Sequence, residues 1–454
     1  MFDGLKKVLR KIDADYADIR YEKKNVASIT YNGRELKKIG ENFSDGYVIR
    51  VLKNGGFSSV SFTKEKDAEQ AIKNAVKHAE ILGSKSKNET KLADVEIFKD
   101  NFKPNLKEDP REVDIDEKLE ILKKYNNICL NHDRIINTTM SYFDLSRERY
   151  FLSTEGAEIS EELVTTGISG RIMSKDGNVI QNVRAGVGGS DGFHNIRGRE
   201  EVFEKKKKIA IDLLNAEPVK GGTYNCIINP SLTGVFTHEA FGHFSEADII
   251  EDLPEMRKKM QLGAQLGSRK VNIIDDPTMP GQLGFYRYDD EGVKSRKVQL
   301  MKNGKLVGRL HSRRTAHKFD EPVTGHTVAE DYRYAPIVRM GNIYLQPGEK
   351  SFDDLLKELD DGLYLLDAKG GQTAGENFTF GAQYGYVVKN GKIKKMVRDI
   401  NISGNLYKTL KNISAVGNDF KLGELGGCGK GQMNRRSCHG GPHIIIDNLI
   451  VGGV

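Results

Sequence analysis

YVIRVLKNGGFSSVSF, residues 47–62, alternates apolar and polar side chains on both sides of Asn54-Gly55. Alternation with a period of two reads as a strand, and Asn-Gly readily supplies the two positive-φ positions of a tight hairpin turn. The surrounding sequence follows the same grammar. Upstream, ADIRYEK (17–23) and NVASITY (25–31) alternate and lead to a turn at Asn32-Gly33. Downstream, Thr63 can cap a helix in which Ala68, Ala71, Ile72, Ala75, Val76, Ala79 and Leu82 make one apolar stripe, with Gly83 closing it.

A second stretch reads alike. TTMSYFDL (138–145) and RYFLST (149–154) are strand patterns, Glu155-Gly156 is a turn, and residues 167–187 turn again at Asp176-Gly177. A helix from about Glu200 to Leu214 ends it, with Val202, Phe203, Ile209, Ala210, Leu213 and Leu214 inward. The pattern predicts a duplicated α+β unit, with repeats over 1–83 and 111–217, in an N-terminal domain covering 1–217. Between them, Ser84 to Pro110 is polar and reads as a linker, and Asp116 to Tyr125 as a further helix.

Pro218 and Gly221-Gly222 mark the boundary to a second domain, 218–454. Apart from helices at 231–248 and near Phe352 to Leu359, its signals are short strands with Asn-Gly turns, such as VQLMKNGKLVGRL (298–310) and GYVVKNGKIKKMV (385–397). An antiparallel β-rich, barrel-like sheet is expected there, and the fold class is α+β.

Composition removes several functions. The chain has 454 residues with 70 Lys and Arg against 64 Asp and Glu, and the resulting +6 is dispersed. That is not a nucleic-acid footprint, and the basic run Lys205 to Lys208 lies inside a helical pattern as a solvated face. No stretch approaches the ~20 apolar residues of a membrane span, and MFDGLKKVLRKIDADYAD has no export-type apolar region, so a cytoplasmic location is expected. Four scattered cysteines do not make a disulfide scaffold.

The chemistry is concentrated in THEAFGHFSEAD, 237–248. Asn229 followed by Pro230 is an N-cap with proline at the first helical position, so the segment belongs to a helix. In HExxH peptidases two histidines four apart bind zinc while the glutamate works on water. Here His238 and His243 are five apart. Five residues of a regular helix turn the side chain through about 500°, leaving the rings roughly 140° apart. One ion can be shared only if the helix widens locally to i→i+5 bonding or breaks at Gly242, and such π-bulges are frequent at functional sites. Glu246 and Asp248 are candidates to orient the ligands, or simply the polar end of the helix.

A catalytic zinc takes a third protein ligand. GGCGKGQMNRRSCHGGPHIII (426–446) offers Cys428, Cys438, His439 and His443. A glycine-flanked thiolate such as Cys428 can approach an ion closely, while Cys438, His439 and His443 could build a separate site. Arg333 and Arg339 are candidates to bind a substrate carboxylate or steady a tetrahedral oxyanion, or structural partners for the acidic DDEG of 289–292.

Taken with IDDPTMPGQLGFYRYDDEGVKSRKVQLMKNGKL (274–306), APIVRMGNIYLQPGE (335–349), GYVVKNGKIKKMVRDINISGN (385–405), GCGKGQ (427–432) and IIIDNLIVGG (444–453), the sequence resembles the TldD branch of the TldD/PmbA (TldD/TldE) family through nearly all of 221–454. The resemblance implies an HExxxH zinc metallopeptidase for short or unfolded peptides, working inside a hollow dimer. It carries the two histidine ligands to His238 and His243, the catalytic glutamate to Glu239 and the cysteine ligand to Cys428, with one Zn2+ per catalytic chain. The partner is a second copy or a motif-less TldE/PmbA-like paralogue. SCHGGPH departs from the family pattern and keeps Cys438 and His439 as rivals for the third ligand. The competing class is a non-catalytic, zinc-containing peptide-binding subunit or regulator.

Overall fold

A computed structural model of the chain describes residues 2–434 and 436–452; Met1, Arg435 and Gly453, which fall within three of the stretches quoted above, and Val454 lie outside the described residues. The N-terminal half is organised by one sheet. Its strands are β1 (Tyr16–Asn32), β2 (Glu35–Lys53), β3 (Gly56–Phe62), β4 (Lys99–Phe102), β5 (Ile135–Ser153), β6 (Glu158–Asp176) and β7 (Val179–Gly189). They pair in the order β3-β2-β1-β5-β6, with β7 and β4 sharing the far edge of β6. The hairpin at Asn54-Gly55 has positive φ at both residues, 50° and 74°, as its sequence requires. ADIRYEK and NVASITY form one 17-residue strand rather than two. The antiparallel pairing of β1 with β5 joins the two halves of the sheet.

Among the described residues three long helices cover this sheet, and Leu5 and Leu9 of the short helix Phe2–Leu9 pack beside them. Ala68–Lys85 buries Ala68, Ala71, Ile72, Ala75 and Ala79 against β2 and β3, while Ile115–Leu130 and Glu200–Asp212 cover β5 to β7. Thr63 is not the cap of the first, which starts after a short turn at Glu65–Asp67. Gly83 lies inside that helix rather than ending it. A Cβ there would come 2.3 Å from the Asn54 carbonyl oxygen, so the glycine lets the helix cross the hairpin turn. The expected linker also holds β4, which pairs in parallel with β6.

The C-terminal half is β-rich but mixed, not simply antiparallel. In its larger sheet Gly222–Ile228 pairs in parallel with Gly362–Ala374 and antiparallel with Ile444–Gly452. Ile444–Gly452 continues to Ile400–Asn405, then to Asn377–Lys389 and back to Gly362–Ala374, so the pairings complete a circuit of five strands. A smaller sheet contains the parallel pair Asn342–Leu345 and Cys438–Gly441. The helix at Phe352–Leu359 forms as read, whereas Pro254–Lys259, Arg313–Phe319 and Leu406–Lys411 are too short to show a repeating stripe.

Buried charge ties the halves together. Asp290 lies 3.4 Å from Arg20, 3.2 Å from Arg147 and 2.5 Å from Arg149, and Glu291 lies 3.0 Å from Arg50. The acidic DDEG is therefore matched by arginines of β1, β2 and β5, not by Arg333 or Arg339. Apolar packing around Leu232, Phe236, Phe241, Phe378 and Phe380 fixes the HEAFGH helix between the two C-terminal sheets.

Candidate metal centre

The helix starts where its sequence says it should. Asn229 accepts a hydrogen bond from the Leu232 amide at 3.1 Å, Pro230 occupies the first turn, and α-helix runs to Thr237. From His238 to Gly242 the backbone bonds i→i+5, and helical geometry resumes for one turn at His243–Ser245. The added residue brings the rings of His238 and His243 to the same side, with centroids 4.9 Å apart and planes at 85°. Gly242 has ordinary helical angles, φ −54° and ψ −50°. Its contribution is close approach: a Cβ would fall 2.2 Å from Sδ of Met340 and 2.9 Å from Ile343.

Cys428 completes a triad of donors. Its Sγ is 3.5 Å from Nε2 of His243, and one donor atom from each of His238, His243 and Cys428 lies within 4.8 Å of the others. The cysteine sits on a strap, residues 427–434, that is fastened from below. Buried Arg339 donates to the carbonyls of Cys428 at 2.6 Å and Gln432 at 2.8 Å. Lys430 donates to the Val338 carbonyl at 2.6 Å, Asp248 at 2.8 Å and Glu246 at 3.2 Å. Glu246, fully buried, also lies 3.0 Å from Nδ1 of His243.

The two imidazoles sit in opposite electrostatic surroundings. Burial opposes charge on His243, yet Cys428 and Glu246 outweigh it and push the imidazole up to about 10. Burial also works against the Glu246 carboxylate, but Lys430 and His243 hold it below the usual range. His238 is driven the other way, by burial and by neighbouring His243, His439 and Arg339, so it stays neutral, and its buried Nδ1 has no hydrogen-bond partner among the described residues. Two imidazoles, one of them held neutral, a thiol, and a buried carboxylate behind the other imidazole fit a borderline-soft divalent metal.

Glu239 is held beside the triad. The Thr373 hydroxyl donates to its carboxylate at 2.9 Å and lies 2.7 Å from its carbonyl oxygen. A Cβ on Gly371 would be 2.9 Å from Cγ of Glu239, so the bare strand lets the carboxylate stand against it. These groups line an open cleft of about 680 Å³, shared with Cys428 and His439.

The remaining candidates separate. Arg333 is exposed and paired with Asp331 at 2.6 Å, and Arg339 lies under the strap, so neither lines the cleft. Cys438 is buried, donates to the Gly423 carbonyl at 2.9 Å and is pushed up to about 12 by burial. His443 bonds Tyr364 at 2.8 Å and contacts Asp419, away from the triad. His439 stands beside His238 but outside the three-donor group. Sequence reasoning gave no role to Thr373 or Lys430. The first lies in the glycine-rich GGQTAGEN and the second in GCGKGQ, but their partners come from distant segments.

Comparison with known proteins gives a consistent result along the chain. Models described as PmbA/TldA metallopeptidase domain 1, central domain and C-terminal domain match residues 17–79, 108–216 and 221–453. The protein named metalloprotease slr0863 from Synechocystis sp. is 35% identical over 443 residues, covering 97% of this chain and 95% of its own. One named zinc metalloprotease TldD homolog, from Saccharolobus solfataricus, is 31% identical over 463 residues and is covered fully, as is this chain. The crystal structure of TldE from Thermococcus kodakarensis shares the fold, with a TM-score of 0.79 at 20% identity, covering 99% of this chain and 100% of that one.

Proposed function

The chain belongs to the PmbA/TldD metallopeptidase family, and from that premise we propose that it hydrolyses short or unfolded peptides with zinc held by His238, His243 and Cys428 and with Glu239 as general base. The observation that carries this reading is the convergence of two helix histidines and a cysteine 185 or more residues downstream beside a tethered carboxylate. Zinc, when bound, supplies Lewis acidity at the scissile carbonyl and makes a water ligand more acidic.

The chain's own groups do the rest. Glu239 takes the proton of the attacking water and returns it to the leaving amine. Thr373 fixes the carboxylate so that one oxygen stays free for that transfer. Strand Gly362–Ala374 pairs with Gly222–Ile228 only as far as Leu365; beyond Asn229 and Ser231, which accept from the amides of Asp367 and Ala368, its second edge runs past Glu239 without a strand partner among the described residues. Main-chain pairing at that edge would hold an extended peptide with little regard for its side chains, which supports broad specificity for unfolded chains.

The proposed partner is a second copy or a TldE/PmbA-like paralogue, with the TldE fold likeness in support. No helix among the described residues is long and apolar enough to cross a membrane, and cytoplasmic action is proposed with that in view. No direct nucleic-acid partner is proposed. The test is metal analysis and peptide cleavage of the wild type and of Glu239→Ala. The variant should keep about one zinc per chain and lose hydrolysis; full activity in the variant would sink the mechanism.

A further inference from the structure

Hydrolysis of an amide develops charge in two places. A proton leaves the attacking water, which Glu239 accounts for, and negative charge gathers on the carbonyl oxygen. A donor aimed at that oxygen commonly contributes as much as the base does.

The side-chain donors around the cleft are mostly spent. The ammonium of Lys430 is bonded to Val338, Asp248 and Glu246, the Thr373 hydroxyl to Glu239, and the Arg339 guanidinium to two carbonyls of the strap. Gln372 lines the cleft from an exposed stretch of strand, where no described residue fixes its amide.

His439 is different. It projects from the strand Cys438–Gly441, with its ring centroid 5.5 Å from that of His238 and the planes at 61°. Close packing sets it there. A Cβ on Gly234, one turn before His238, would come within 2.7 Å of both the Gly440 nitrogen and Cδ2 of His439. The ring lines the same cleft as Glu239 and Cys428, its Nδ1 is buried without a hydrogen-bond partner among the described residues, and it lies outside the three-donor cluster. Glu239 is tethered to Thr373 of the strand Gly362–Ala374, whereas His439 projects from a strand of the smaller sheet, so base and imidazole reach the cleft from different elements.

We propose that His439 is a catalytic residue whose ring N–H hydrogen-bonds the scissile carbonyl oxygen as it becomes negative. The inference rests on the peptidase reading above. Water adds to the carbonyl carbon, its proton passes to Glu239, and the carbonyl π pair moves onto oxygen, where His439 donates a hydrogen bond without giving up its proton. The oxygen pair then re-forms the carbonyl, the C–N bond breaks, and the amine takes the proton from Glu239. The products are one acid and one amine.

The test compares His439→Leu, which has no donor, with His439→Gln, which has one, using an unstructured fluorogenic peptide, metal analysis, and a phosphinic peptide of the same sequence as a tetrahedral mimic. In His439→Leu, kcat should fall about 100- to 1000-fold with little change in KM, and phosphinic-peptide affinity should fall by a similar factor. Zinc content should be unchanged, and His439→Gln should recover part of both losses. Hydrolysis by His439→Leu within roughly threefold of wild type, loss of zinc, or equal deficits in the two variants would overturn the proposal. A wild type that holds zinc and cleaves nothing would instead remove the peptidase reading, and this inference with it.

Discussion

Nδ1 of His243 lies 3.0 Å from Oε2 of Glu246, a carboxylate with no solvent exposure that is also bonded by Lys430. Glu246 therefore fixes the ring so that Nε2, 3.5 Å from the Cys428 sulfur, faces the centre of the triad. Two residues of the strap, Cys428 and Lys430, grip the two sides of one helical histidine, one directly and one through the carboxylate. This couples the geometry of the third donor to that of the helix.

Removing the carboxylate should loosen the metal without emptying the fold. Partners behind a ligating histidine typically account for about 10- to 100-fold in metal affinity, and Glu246→Gln should lose zinc affinity by that factor. Competition against a chromophoric chelator measures it. An unchanged affinity would mean that the ring is oriented by packing alone.

Thr373 offers a test of positioning that leaves the donors alone. Its hydroxyl donates to the carboxylate of Glu239 and lies 2.7 Å from that residue's carbonyl oxygen, so Thr373→Val should free the base while preserving volume. We expect kcat to fall about tenfold with zinc content and KM nearly unchanged, because the lost contact holds the base rather than the substrate. A rise in KM at constant kcat would assign Thr373 to peptide binding.

Gly242 tests whether the widened turn is set by packing. Met340 is 1% exposed and cannot swing into solvent, so the methyl of Gly242→Ala meets its sulfur and Ile343 head-on. Overpacking of this kind costs about 1–3 kcal/mol. Urea unfolding should show that loss, and Met340→Ala in the same chain should return part of it through coupling between neighbours. Strict additivity of the two substitutions would show that the glycine answers to something other than Met340.

Much of this was legible in the sequence. The alternation around Asn54-Gly55, the cap Asn229-Pro230 and the five-residue spacing of His238 and His243 are local signals, and each forms the local structure that its chemistry demands, including the i→i+5 turn. What was not legible depended on contacts between distant segments. Gly83 reads as a helix stop until the Asn54 carbonyl is seen beside it. The partners of DDEG come from β1, β2 and β5, more than a hundred residues away, and no periodicity in 274–306 points to them. Arg339 reads in the sequence as a candidate for a substrate carboxylate; its two carbonyl acceptors lie on the strap, 89 and 93 residues on.

That buried seam makes the final prediction. Asp290 is 1% exposed, and burial alone would raise its pKa, but Arg20, Arg147 and Arg149 outweigh burial and hold it far below the usual carboxylate range. A carboxylate depressed in the folded state stabilises fully above its unfolded pKa of about 3.9, and this stabilisation is lost as pH falls from there through the folded value. Asp290→Asn leaves three buried guanidinium groups short of a counter-charge and should cost about 3–5 kcal/mol at pH 7. The difference from wild type should persist down to about pH 4 and then shrink as the wild type loses its advantage. Denaturant midpoints at pH 7, 5 and 3 measure this, with the exposed Asp252→Asn as a control. A gap of constant size across that range would show that the substitution acts through shape and not through charge.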